Sequence, residues 1–226
     1  MEIKNRNIAI DGPSASGKST VAKIIARRLG SIYVDTGAMY RAYTLATLNK
    51  HIDPKNEEES NKLIGKIKIS FDQKNNITLD GENVAKRIRD NDVADNVSYI
   101  ASYKQIRLFL VDLQREIAKG TNVVMDGRDI GTYVLPDAFL KIYQIADVKT
   151  RGERRYNENL IKGIKCTYEE CLENLQKRDY IDSHRAFAPL KKADDAITLD
   201  TTNMEIDEVV DKIISLYREK DEQEWV

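Results

Sequence analysis

Apolar residues along the chain follow two rhythms. Short apolar runs at 7–10, 31–34, 122–125, 139–145 and 196–199 read as strands of a sheet interior. Between them the spacing is helical. Val21, Ile24, Ile25 and Leu29 share one face and stop at Gly30; Ile106, Leu110, Leu113 and Ile117 do so and stop at Gly120. Residues 90–102 suit another helix, and Ile206, Val209, Val210, Ile213, Ile214 and Tyr217 mark an amphipathic closing one, followed by a frayed tail through Trp225. Strands alternating with helices predict an α/β fold, a parallel sheet of about five strands covered by helices on both faces.

One stretch breaks this alternation. After the acidic run Glu57, Glu58, Glu59 and a short helical pattern through Leu63 and Ile64, the period becomes two. Ile67, Ile69 and Phe71 alternate with polar residues, as do Ile77 and Leu79 beyond a turn at Lys74, Asn75 and Asn76. Residues 63–90 therefore predict a small antiparallel β insert standing off the main sheet.

Composition narrows the class. With 226 residues and 41% hydrophobic content, the chain can bury one sizeable core carrying small insertions, so a single domain spanning 1–226 is expected. Lys plus Arg (36) balances Asp plus Glu (37), which argues against a bulk nucleic-acid or membrane-surface binder and makes any basic site local. The first six residues are too polar for a signal peptide and no apolar run reaches spanning length, so the cytoplasm is the expected compartment. Cys166 and Cys171 have no Cys/His partners spaced for zinc. A structural metal or disulfide is not expected, and Cys171, in register with Tyr168, Leu172 and Leu175, is expected to pack in a core.

Chemistry concentrates where strands end. Gly12, Pro13, Ser14, Ala15, Ser16, Gly17, Lys18, Ser19 and Thr20 lie between the first strand and the first helix, and 12–19 fit G-x-x-x-x-G-K-[ST]. The glycines let backbone N–H groups converge on phosphate oxygens, Lys18 reaches the outer phosphates, and Ser19 offers a hydroxyl to Mg2+. The helix N-terminus adds its positive dipole end. The bland alternative is a glycine-rich turn with a lysine, which the flanking strand and helix disfavour. Asp126 follows the strand at 122–125, as does the acid that orients Mg2+ in P-loop enzymes.

Further arginines surround these elements. Thr36 is the expected N-cap of a helix carrying Gly37 and Arg41, where N–H groups and a guanidinium can face an anion; taken alone, the segment reads first as a capped helix with a solvated arginine. Arg151, Arg154 and Arg155 follow the strand at 139–145, either as a movable lid over ATP or as a solvated helix face. Arg178, Asp182 and Arg185 are able to point from one helix end into a cleft. So many arginines exceed the needs of one triphosphate, and a second phosphorylated ligand accounts for the surplus.

The strings G-P-S-A-S-G-K-S-T, D-T-G-A-M-Y-R, D-G-R-D-I-G-T and R-D-Y-I-D-S-H-R-A-F-A-P-L, in this order, resemble the bacterial cytidylate kinase family over nearly the whole chain. The resemblance implies a P-loop kinase core with a nucleoside-monophosphate-binding insert at about 63–100 and a helical lid at about 150–170. It implies transfer of the γ-phosphoryl group of ATP to CMP or dCMP with Mg2+. Residues 12–20 would hold ATP, and Ser19 and Asp126 the metal. Arg41 and Arg128 would grip the CMP phosphate, with Thr36 in the same acceptor site. Ser98, Arg107 and Asp129 would read cytosine, while Arg178, Asp182 and Arg185 would hold the sugar and phosphate side. Lys18, Arg128, Arg154 and Arg155 would carry catalysis. Thr36 stands where members often carry Ser, and Ser19 where many carry Gly; both retain or add a hydroxyl. The implied partners are small molecules alone, with no nucleic acid, no membrane and a monomeric chain. A kinase for another small acceptor such as AMP or shikimate would share the loop, but segments 36–41 and 178–185 disfavour shikimate. A GTPase switch would need N-K-x-D, and the nearest run, from Asn49 to Asp53, has the wrong spacing.

Overall fold

The computed structural model describes residues 6–223; the polar start before Arg6 and the tail at Trp225 lie outside the described residues. Two compact units emerge from the chain. The first comprises residues up to Val34, Ala118–His184 and those from Ala188 onward; the second comprises Asp35–Ile117 with Arg185–Phe187.

The first unit is built on a five-stranded sheet. Its strands are β1 (Ile8–Asp11), β2 (Ile32–Asp35), β6 (Val123–Gly127), β7 (Leu140–Ile145) and β8 (Ile197–Asp200), in the order β2-β6-β1-β7-β8. β1 pairs in parallel with β6 and β7, and β7 with β8, so that Ile10 lies beside Asp126 and Asp11 beside Gly127 and Tyr143. Residues alternating along β1 and β6 are buried on both faces, which is why these strands read as apolar runs. Helix α1 (Lys18–Leu29) and helix α8 (Ile206–Gln223) contribute Val21, Ile25, Val209, Val210 and Ile213 to one core with Ile8, Ile10, Leu140 and Ile142. From β1 the chain crosses to β2 on one side, and from β7 to β8 on the other. The carboxyl end of β1 is thus the topological switch point, the place where open parallel sheets receive ligands. Helices α6 (Val148–Ile161) and α7 (Tyr168–His184) complete this unit.

The second unit holds α2 (Thr36–Asn49), α3 (Glu57–Asn61), the small strands β3 (Ile69–Phe71), β4 (Ile77–Leu79) and β5 (Glu82–Asn83), a 3-10 turn at Arg87–Arg89, α4 (Asn91–Ile100) and α5 (Lys104–Ala118). The predicted hairpin is a three-stranded antiparallel sheet, β3-β4-β5. The additional strand follows Asp80 and Gly81, both at positive φ (51° and 88°), the paired left-handed geometry that lets a two-residue turn match strand twist.

Two local expectations are corrected. The N-cap of α2 is Asp35, not Thr36: its carboxylate accepts from Ala38 N at 2.7 Å, and Thr36 is the first helical residue. Asp126 lies within β6, which runs on to Gly127. The turn beyond it, Ile130–Val134, is π-helical, with Tyr133 N and Val134 N both donating to Asp129 O.

Candidate phosphoryl-transfer site

The phosphate loop is shaped by two backbone demands. At Gly12 (φ 154°) a β-carbon would stand 2.0 Å from Gln144 O of β7, so the chain can turn off β1 only with glycine. Gly17 (φ 92°) caps α1 in a left-handed conformation. Around these turns Ser14, Ser16 and Lys18 are buried, whereas Gly17, Ser19 and Thr20 stay exposed at the helix N-terminus, where N–H groups await an anion. Pro13 and Ala15 are half-buried, and Ala15 is held at φ 57°.

Side chains from distant segments fasten the loop. Gln144 Nε2 donates to Ser16 O at 2.6 Å. Ser14 N donates to Asp179 Oδ1 on α7 at 2.9 Å, and the other Asp179 oxygen accepts from Arg151, whose guanidinium also donates to Ser14 O at 2.9 Å. Arg154 reaches Ser16 O (3.3 Å) and Thr201 O (2.8 Å). Arg155, the next residue, is half-buried and pairs with Glu158 at 3.4 Å, so the predicted lid arginines divide: 151 and 154 lie on the loop and 155 turns along its own helix.

Charge is concentrated and buried here. Lys18 folds back on the loop, donating from Nζ to Pro13 O (2.7 Å) and Ser16 Oγ (3.3 Å). Burial and then the positive charge of Arg128 depress its pKa, against the pull of Asp126, Asp11 and Asp179. Phosphate oxygens would reverse that depression by supplying the missing negative charge. Ser19 Oγ donates to Asp126 Oδ2 at 2.7 Å, so the two expected metal-holding groups lie together, and Tyr33 Oη donates to the other oxygen at 2.9 Å. A hydroxyl and one carboxylate form a hard, oxygen-only set suited to Mg2+ that also takes oxygens from substrate phosphates. Among the described residues no cluster of three or more His, Cys, Asp or Glu forms a protein-only metal cage.

Asp11, buried at the end of β1, holds the turn after β6. Its two oxygens accept from Ile130 N (2.8 Å) and Gly131 N (2.7 Å). Burial raises its pKa to about 7; the two N–H donors oppose the rise, and the charge of Asp129 adds to it. That turn displays Arg128 and Asp129. Arg128 Nε donates to Asp182 Oδ2 at 2.8 Å, and Asp129 is buried at the head of the π-helical turn. Arg178, half-buried, lies one turn before Asp182 on α7.

In the second unit, three of the expected acceptor residues gather at the end of α4. Arg107, fully buried on α5, donates to Ala101 O at 2.9 Å and lies 5.1 Å from the Tyr40 ring centroid. Arg185 donates to the same carbonyl at 3.5 Å, and Ser98 is buried three residues before it. The carboxyl end of a helix dipole suits both guanidinium groups. Thr36 is buried at the start of α2, and Arg41 lies 3.4 Å from Asp35, the cap of that helix. Arg185 thus groups with Ser98 and Arg107, while Asp182 groups with Arg128.

Sequence reasoning passed over Asp11, Tyr33, Gln144 and Asp179. Of these, Asp179 carried a signal, since it sits between Arg178 and Asp182 in a charged helix end.

The profile of the family described as Cytidylate kinase matches residues 8–219. The cytidylate kinase of Bacillus cereus (strain B4264) is 49% identical over 216 residues, covering 94% of this chain and 96% of that one. That of Bacillus thuringiensis (strain Al Hakam) is 48% identical with the same coverage. A gluconokinase from Sinorhizobium meliloti 1021 shares the fold alone, with a TM-score of 0.52 at 12% identity over 97% of this chain and 95% of that one. No described helix is long and apolar enough to cross a membrane. A phosphate loop at the switch point, its hydroxyl joined to a strand-borne carboxylate, and near-half identity over almost the full length together place this chain in the cytidylate kinase family.

Proposed function

We propose that this chain transfers the γ-phosphoryl group of ATP to the phosphate of CMP and dCMP. The observation that carries phosphoryl transfer is the contact of Ser19 with Asp126 beside the Lys18-bearing loop. The cytidine acceptor rests on family membership. Residues 12–20 would hold ATP through backbone N–H groups. Ser19 and Asp126 would hold Mg2+, which, when bound, neutralises charge on the transferring phosphates. Phosphoryl transfer through a loose transition state needs alignment and charge neutralisation rather than a dedicated base. Lys18 and Arg154 would meet the developing charge, with Arg155 reserved for the lid. Arg41 and Arg128 would orient the acceptor phosphate, Arg128 being held by Asp182. Ser98, Arg107 and Asp129 would choose cytosine; Thr36, Arg178, Asp182 and Arg185 would complete the acceptor site. The partners proposed are small molecules only, and the chain works as a monomer in the cytoplasm.

A coupled assay of ADP formation with ATP, Mg2+ and CMP, dCMP, UMP, AMP or shikimate tests this. CMP and dCMP are expected as the preferred acceptors. ATP turnover indifferent to every monophosphate would overturn the proposal.

A further inference from the structure

Helix α7 starts with a reciprocal cap. Thr167 Oγ1 accepts from Glu170 N at 3.1 Å, and Glu170 Oε2 accepts from Thr167 N at 2.7 Å. With Thr167 as cap, Cys166 occupies the position before it and Cys171 the fourth helical position. These are the two positions that often carry an apolar pair packed across the first turn. Here the pair is two thiols. Their sulfurs lie 3.3 Å apart, against about 2.05 Å for a disulfide bond. Both are free, Cys171 buried and Cys166 half-buried.

The same pair touches α6. Asn159 Nδ2 points at both sulfurs, at 3.3 Å from Cys166 and 3.4 Å from Cys171. The two helices are close there: a β-carbon on Gly152 would lie 3.1 Å from both Leu172 and Tyr168, and Tyr156 meets the Tyr168 ring edge-on. Between one and just over two turns before Asn159, α6 carries Arg155, Arg154 and Arg151. The Arg155 charge also acts on Cys171. A change at the thiols therefore acts on the joint of the helix pair that bears the lid arginines.

We propose that Cys166 and Cys171 form an oxidisable dithiol, a modification site for hydroperoxides, whose disulfide fixes the α6–α7 joint and slows turnover. Cys166 is the thiol that meets the oxidant: it is the more exposed, and it sits at the positive end of α7. Burial, and then the neighbouring Cys166, push the Cys171 thiol up to about 11, so Cys171 waits as the protonated resolving partner. The Cys166 thiolate attacks the outer oxygen of the hydroperoxide, the O–O bond breaks, and the sulfur becomes a sulfenic acid as an alcohol or water leaves. Cys171 sulfur then attacks that sulfur, the S–O bond breaks, and the hydroxide departs with the Cys171 proton as water. In sum, two thiols and one hydroperoxide give one disulfide, one alcohol and one water. Thiol–disulfide exchange with a small reductant reverses it.

The turnover consequence rests on the kinase activity proposed above; formation of the disulfide does not. The full-length protein is treated with hydrogen peroxide, alkylated without reduction, and analysed by intact-mass and peptide mass spectrometry, with CMP turnover measured before treatment, after it, and after dithiothreitol. Expected are a mass loss of about 2 Da, a 166-to-171 linkage absent in Cys166→Ser, and a fall in kcat of roughly threefold or more that dithiothreitol restores, as when lid motion limits turnover. Cys166→Ser should keep its kcat under peroxide. Both thiols remaining alkylatable, or a disulfide that leaves kcat unchanged, would overturn the proposal. A reduced enzyme inert toward CMP would strike the kinase assignment, while the mass and alkylation data would still decide the dithiol.

Discussion

The phosphate loop and the end of α4 hold the groups proposed to face ligands by opposite means. In the loop the groups proposed to meet phosphate are mainly backbone N–H groups, and distant carboxylates fasten the loop: Asp179 accepts from Ser14 N, and Asp126 from the Ser19 hydroxyl. At the end of α4 the groups proposed to meet the acceptor are side chains: Arg107 and Arg185, from separate segments, both donate to the Ala101 carbonyl, and Ser98 is buried one turn before it. A backbone site has little chemical choice; it takes any suitably placed phosphate. A side-chain site can discriminate, because each group accepts some partners and repels others. The first arrangement suits the shared phosphoryl donor, and the second the selected acceptor.

Substitutions at the loop should therefore lower rate and leave base choice intact. The largest effect is expected from Lys18→Ala, which removes the charge proposed to meet the transferring phosphoryl group. Its kcat should fall on the order of a hundredfold or more, with circular dichroism and thermal unfolding unchanged and the CMP to UMP ratio preserved. Asp179→Asn comes next. Loss of a charged acceptor on Ser14 N and Arg151 should cost about 1.5–3 kcal/mol, seen as a KM for ATP raised by roughly tenfold or more, again with base choice intact. A changed CMP to UMP ratio in either variant would break the separation.

A third effect concerns Asp11 and is read in stability rather than rate. Its folded pKa of about 7 lies above the ordinary 3.8, so the folded state binds the proton more tightly than the unfolded state does. Between those values the folded state holds more protons, and stability falls as pH rises. The contribution is fully present below about pH 4, declines through the window to about pH 7, and is gone above it. Asp11→Asn should remove this slope. Urea unfolding of both proteins at several pH values from 4.5 to 8 would show the unmodified protein losing stability relative to Asp11→Asn as pH rises towards about 7; parallel curves would mean that Asp11 titrates alike in both states.

What was legible follows the same division. Strands of the main sheet, the loop and its helix were readable because each is contiguous: apolar runs, glycines at forced turns, and a lysine at a fixed offset. The insert was read as a hairpin because β5 has only two exposed residues and no apolar signal, although Asp80 and Gly81 mark its turn. Asp11 was invisible as an anchor. Its partners, Ile130 and Gly131, are about 120 residues away and meet it only because β1 and β6 are neighbours in the sheet. Likewise nothing in the local sequence says that Arg151 and Arg154 turn to the loop while Arg155 turns to Glu158. The acceptor residues were named through family resemblance; the gathering of Ser98, Arg107 and Arg185 at one helix end is a product of packing.

Base choice depends on what the pocket offers the N4 edge of the ring. Cytosine offers an amino donor at N4 where uracil offers a carbonyl acceptor, and a carboxylate favours the first and repels the second. The decisive measurement is kcat/KM for CMP and for UMP, at saturating ATP, in the unmodified enzyme and in Asp129→Ala. The account predicts a loss of about 1–3 kcal/mol for CMP, with UMP losing less or gaining, so that the ratio shrinks. Equal losses on both substrates would contradict it and assign Asp129 to the phosphate or metal side with Asp126.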